Sequence, residues 1–161
     1  MNVKGLTVTF FVIGAALGLM TPVSAQQPRE SVESRQIVEL VDKAAAKVNE
    51  KGRAAFDEFR TPNSEWRTGE LYVFGENLDG TVWINAASPK LEGTNVSGLK
   101  DANGKLFHME MAKLIQAKGA GWVDYMWPKP GQSQPSQKWS YVKEVTLDGA
   151  PGYLGAGFYP Q

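Results

Sequence analysis

The chain has 161 residues, 17 basic and 17 acidic side chains, no cysteine and one histidine. Balanced charge without basic runs excludes nucleic acid and an anionic membrane surface as natural partners. The missing cysteines exclude disulfide frameworks and thiolate metal sites, so the fold holds by packing.

Lys4 is the only charge before an uncharged run, Leu6–Met20, which small residues "VSA" follow. That order is a secretory leader, and the run is shorter than the ~20 residues that cross a bilayer. The expectation is a signal peptide at 1–25, cut after Ala25, and export to the periplasm or medium. Residues 26–161 then form one domain with one core, carrying 16 basic and 17 acidic groups.

In "SRQIVELVDKAAAKVNEKG" the residues Ile37, Val41, Ala44 and Val48, widened by Val38 and Ala45, make one stripe of an amphipathic helix. Ser34 is the expected N-cap and Gly52 the stop. "RAAFDEFR" predicts a short helical piece with Phe56 and Phe59 on one surface. Past "TPNS" the period changes to two. "ELYVFGENLDGTVWINAA" predicts a β-hairpin turning at Asp79-Gly80. Val82, Ile84 and Ala86 are expected on one face of its second arm, and Thr81, Trp83 and Asn85 on the other. "SPKLEGTNVSGLKDANGK" reads as loop. "LFHMEMAKLIQAKG" reads as a second helix, with Phe107, Met111, Leu114 and Ile115 as its stripe and Gly119 as its end. "GWVDYMW", "QKWSYVKEVTL" and "GYLGAGFY" follow as strands, the first two separated by a proline-rich loop that cannot join a ladder. Segregated elements of this kind predict an α+β fold: an antiparallel sheet with the long N-terminal helix on one face and a loop-helix insertion roofing the other. A roof of loops leaves a concavity suited to a small molecule.

The chemistry concentrates at "GWVDYMWPKPG". Tyr125 and Trp127 share a strand face with Val123. With Tyr72, Asn85, Lys138 and Tyr141 they lie at or near strand ends bordering the roof, and most combine an apolar body with a polar tip. An apolar box with one cation and a few convergent donors suits a small organic anion, because a carboxylate leaves water only when paired and hydrogen-bonded. For about six heavy atoms, micromolar affinity follows. His108 lies at the edge of a helical stripe and reads as a structural imidazole. Ser136 and Ser140 have no histidine or elbow motif beside them. "DANGK" at Asp101 lacks the spacing of a calcium loop and reads as a turn. No acid, base and nucleophile set assembles, so neither an enzyme nor a cofactor is expected.

"YVFGENLDGTVWINAASPKLEGTNVSGLKDANGKLF", then "GWVDYMWPKPG", "QKWSYVKEV" and "GYLGAGFY", resembles a single Cache domain, the extracytoplasmic sensing module of bacterial chemoreceptors and sensor kinases. The resemblance runs from the first helix to Tyr159. It implies a PAS-like sheet crossed by a long N-terminal helix, with a short carboxylate such as acetate, propionate, lactate or pyruvate held beneath the inserted loops. By position it implies pocket residues Tyr72 on the first strand, Asn85 on the second, Tyr125 and Trp127 on the third, and Lys138 with Tyr141 on the fourth. Asn85 stands where many relatives carry histidine in a His-Pro pair, so the resemblance does not fix the ligand. The sequence ends at Gln161 without a second hydrophobic span, and a stand-alone exported form is the expectation, working with a membrane receptor or sensor kinase. The alternative is an interaction module without a small ligand, docking on a receptor or pairing with a second copy through its first helix.

Overall fold

The computed structural model describes residues 27–160; the leader and its cut after Ala25 lie outside the described residues. Helix α1 spans Val32–Lys51 and buries Ile37, Val41, Ala44, Ala45 and Val48 of the predicted stripe together with Leu40, while Val38 stays half-buried, and Gly52 ends it. Its N-cap is Ser31 and not Ser34. Ser31 Oγ accepts the Ser34 N–H at 3.0 Å, and Ser34 Oγ accepts the Ser31 N–H at 2.9 Å, a reciprocal capping box one turn earlier than expected. After a 3-10 turn at Gly52–Ala54, α2 (Ala55–Phe59) presents Phe56 and Phe59 to one cluster, where Phe59 packs on Trp66 at 4.9 Å between ring centroids.

The first predicted strand is broken at Val73. Leu71–Tyr72 (β2) pairs with Arg67–Thr68 (β1) as a separate ribbon, and Phe74–Asn77 (β3) enters the main sheet beside Val82–Asn85 (β4). Gly80 makes the turn at φ 86°, a left-handed conformation that favours glycine. The expected alternation on β4 fails for a local reason. Gly75 pairs with Ile84 and Glu76 with Val82, so Trp83 is the extra residue of a bulge. Trp83 and Ile84 consequently both pack beneath α1, and Ala86, past the strand's end, lies on the roofed side.

Helix α3 (Phe107–Lys118) ends at Gly119, and β5 (Ala120–Pro128), β6 (Pro135–Leu147) and β7 (Ala150–Phe158) complete an antiparallel five-stranded sheet of order β4-β3-β7-β6-β5. Parity along β6 decides which face each residue serves. Trp139, Tyr141, Val145 and Leu147 face α1, while Lys138, Ser140 and Val142 face α3. One apolar cluster fills the α1 side, and a second, with Phe107, Met111 and Ile115 of α3, fills the roofed side. The α+β, PAS-like architecture is the one expected.

Candidate functional site

Period-two geometry aims side chains of β2, β3, β5, β6 and β7 at the roof. β2 and β3 contribute Tyr72, Phe74 and Glu76; β5 contributes Val123, Tyr125 and Trp127; β6 contributes Lys138 and Ser140; β7 contributes Tyr153. Tyr125 stands directly opposite Lys138 in register, and Tyr153 directly opposite Glu76. Two polar centres result.

The first is Lys138. Its side chain is wholly buried, and Nζ donates to the Tyr72 hydroxyl at 2.8 Å. Rings surround the ammonium: Tyr72 at 3.9 Å, Phe74 at 5.4 Å, Tyr159 at 5.5 Å and Tyr125 at 5.9 Å from Nζ to centroid. Such faces attract a cation but do not neutralise it. Among the described residues no carboxylate lies within ion-pair distance of Nζ. Burial accordingly pulls the Lys138 pKa below its ordinary value, opposed only by Tyr72. Space for the lysine stem comes from Gly157, where an added Cβ would stand 2.9 Å from Lys138 Cε and closer still to the Ser140 hydroxyl and the Trp139 carbonyl. Tyr125, whose hydroxyl meets Ser140 Oγ at 3.1 Å, has its pKa raised well above the usual value by burial.

Glu76, buried to 2 % exposure, is the second centre. The Tyr153 hydroxyl donates to its Oε2 at 2.7 Å, and His108 Nδ1 sits 2.7 Å from Oε1 and 2.8 Å from Oε2. Burial, then the Glu76 charge, raises the Tyr153 pKa well above the usual value. His108 is structural in the sense expected, since it ties α3 to β3, but its other nitrogen is left over: Nε2 is the one buried side-chain polar atom without a partner among the described residues.

Between the two centres lies a cavity of about 20 Å³ lined by Tyr72, Phe74, Glu76, Asn85, Phe107, His108, Tyr125 and Trp127, with Leu91 and Val96 from the loop. That is room for about one water molecule. Phe107 closes it by stacking on Tyr125 at 4.3 Å and 4° and by meeting Trp127 edge-on at 5.4 Å. A larger groove of about 1280 Å³ runs open to solvent along the start of α1, past Leu71 and Phe158. The buried charged side chains lie at the smaller cavity.

Of the six residues expected at the site, Tyr72, Asn85, Tyr125 and Trp127 line the cavity, and Lys138 stands immediately behind the rings of Tyr72, Phe74 and Tyr125. Asn85 Oδ1 already accepts the Ser88 N–H at 2.8 Å, shaping the loop. Tyr141 is a correction. It lies on the opposite face, 5.3 Å from Trp122, where burial and then Asp42 of α1 raise its pKa. Lys138 and Tyr141 are three residues apart, an odd offset that one strand cannot place on one face. The same parity points to what the sequence reading missed: Phe74 and Glu76 follow Tyr72 in steps of two, and Ser140 follows Lys138. Asp101 is a turn residue, as its spacing predicts, its oxygens accepting from the N–H groups of Asn103, Lys105 and Met126 at 2.8–2.9 Å.

A family model for the Cache domain matches residues 30–159. The methyl-accepting chemotaxis protein McpP of Pseudomonas putida is 36 % identical over 88 residues, 55 % of this chain, which spans 16 % of that receptor's length. A solved periplasmic sensor domain of a chemotaxis protein is 30 % identical, with TM-score 0.62 over 77 % of this chain and 88 % of its own. A Cache chemosensory domain described for its recognition of carboxylic acids is 29 % identical, with TM-score 0.66 over 80 % of this chain and 93 % of its own. No described helix is long and apolar enough to cross a membrane.

Proposed function

The chain belongs to the Cache domain family, and on that premise we propose that it is an extracytoplasmic module binding a short-chain carboxylate of the acetate, propionate, lactate or pyruvate class. The observation that carries this reading is the Lys138 ammonium, wholly buried and without a carboxylate partner among the described residues. A buried cation is costly unless paired, and a ligand carboxylate supplies the missing charge while the rings of Tyr72, Phe74 and Tyr125 receive the carbon tail. The resemblance to a domain that recognises carboxylic acids supports the same class. Because the cavity has room for about one water, a ligand of four to six heavy atoms enters as Phe107, Trp127 and the Val96 loop move outward, and the displaced roof is the signal that a membrane receptor or sensor kinase reads. The leader at 1–25 delivers the module across the membrane; intact mass of the exported protein beginning at Gln26 supports that step.

Calorimetric titration with C2 to C4 monocarboxylates tests the binding reading. Wild type is expected to bind at least one of them with micromolar affinity. Lys138→Met, which keeps the stem and removes the charge, is expected to weaken binding by at least about 30-fold, the loss that follows from removing one partner of a desolvated charge pair. Unchanged affinity in the variant, or no heat with any acid in the wild type, overturns it.

A further inference from the structure

The cavity that takes the tail has a second polar end. Tyr72 of β2 and Phe74 and Glu76 of β3 all line it, so the cavity runs from the hydroxyl that holds Lys138, past the Phe74 ring, to the Glu76–His108 pair. At that far end the hydrogen-bonding capacity is nearly used up. Glu76 accepts from Tyr153 and from His108 Nδ1, which fixes the imidazole with its Nδ1 proton toward the carboxylate. Among the described residues His108 Nε2 is the one buried side-chain polar atom without a partner, on a residue 92 % buried that lines the cavity. An orphaned polar atom in the interior is costly, and a native fold retains one where something satisfies it.

Resting on the carboxylate reading above, we propose that His108 Nε2 is the specificity-determining contact for a hydroxyl group on the ligand's chain, remote from its carboxylate, so that the preferred ligand is a short acid hydroxylated at C3 or beyond. A hydroxyl suits this atom in either protonation state, donating to the neutral ring and accepting from the charged one. A second carboxylate would meet the buried Glu76 charge, and an ammonium would be served only by the neutral ring. A plain alkyl tail leaves Nε2 unpaired, the situation in which a polar site rejects the deoxygenated analogue.

Calorimetry on the wild-type protein with butyrate, 2-hydroxybutyrate and 3-hydroxybutyrate decides it. The expected order places 3-hydroxybutyrate about 2- to 13-fold tighter than butyrate, the range of one neutral hydrogen bond, with the 2-hydroxy isomer showing no such gain. In His108→Phe the ratio of 3-hydroxybutyrate to butyrate affinity falls to about one. Equal wild-type affinity for butyrate and 3-hydroxybutyrate overturns the hydroxyl contact while leaving the carboxylate site standing, and indicates that water alone serves Nε2. Tighter binding of the 2-hydroxy isomer overturns its placement at the far end. No binding of any of the three while acetate or propionate still binds overturns the hydroxyl contact alone, and no binding of any C2 to C4 acid removes both readings together. The wild-type comparison does not depend on the variant folding.

Discussion

On the α1 side of the sheet, Val41, Phe59, Leu154 and Ala156 are buried with no charged group among them, and the helix lies on them along its whole apolar stripe. On the α3 side, the sheet holds Lys138, Glu76 and Ser140, and α3 adds His108, among the aromatic rings. Every buried polar or charged residue among the described ones except Ser34 belongs to this second face. Apolar burial contributes about 25 cal/mol per Å², whereas buried charges and orphaned donors cost stability. One face therefore supplies the stability that lets the other keep buried charged and unpartnered groups.

The largest expected effect lies on the apolar face. Phe59 is fully buried against Phe56 and Trp66, and Phe59→Ala should lower the unfolding free energy by about 3–5 kcal/mol in urea titrations, with carboxylate affinity unchanged at temperatures where the variant is folded. Loss of ligand affinity in that folded variant would mean that the two faces are not separable. Lys138→Met should move stability the other way, by about 1–3 kcal/mol at neutral pH, because it replaces an unpaired buried charge with an apolar side chain of similar length. The sign can be checked by pH. The folded chain holds the Lys138 pKa below the ordinary 10.5, so the unfolded chain binds that proton more tightly. The cost is fully present below the lowered folded pKa and is relieved as pH rises toward 10.5. Urea midpoints of the two proteins should therefore converge as pH rises from below the lowered folded pKa toward 10.5. A variant less stable than wild type at pH 7 would show that the aromatic rings hold the ammonium well enough without a ligand.

Much of the α1 face is legible because helical spacing is read over many residues: Ile37, Val41, Ala44 and Val48 repeat over about three turns, and no single residue decides the pattern. The antiparallel sheet and its roof follow from turn residues and from the change of period, whereas the strand order β4-β3-β7-β6-β5 is a long-range fact. The site was legible only in part. Tyr72, Tyr125 and Trp127, expected because polar-tipped aromatics cluster near strand ends, lie together around the small cavity. Tyr141 was misplaced because its face depends on strand parity, which the reading did not apply across β6. The bulge at Trp83 depends on pairing with β3, a long-range fact that alternation within β4 does not contain. Glu76 and His108 are 32 residues apart, and nothing in either local sequence announces the partner. Buried charge pairs between distant elements are decided by tertiary geometry alone.

The smallest effect tests how α1 is fastened to its face. Spacing predicts Ser34 as the N-cap, whereas the structure places Ser31 there, its Oγ accepting the Ser34 N–H at 3.0 Å, with Ser34 at N3 returning a bond to the Ser31 N–H at 2.9 Å. An N-cap oxygen satisfies a backbone donor that the helix leaves open, and its loss costs about 1 kcal/mol. The returning bond satisfies a donor nearer the chain end, where water can replace it more readily. Ser31→Ala should therefore lower stability by about 1 kcal/mol, and Ser34→Ala by less. The double variant should cost less than the sum of the two, because each single change already breaks part of one reciprocal pair. Thermal or urea unfolding of the three variants reads this directly. If Ser34→Ala proved the more damaging single change, the helix would begin one turn later, and the first turn of α1 would contribute nothing to holding the apolar face closed.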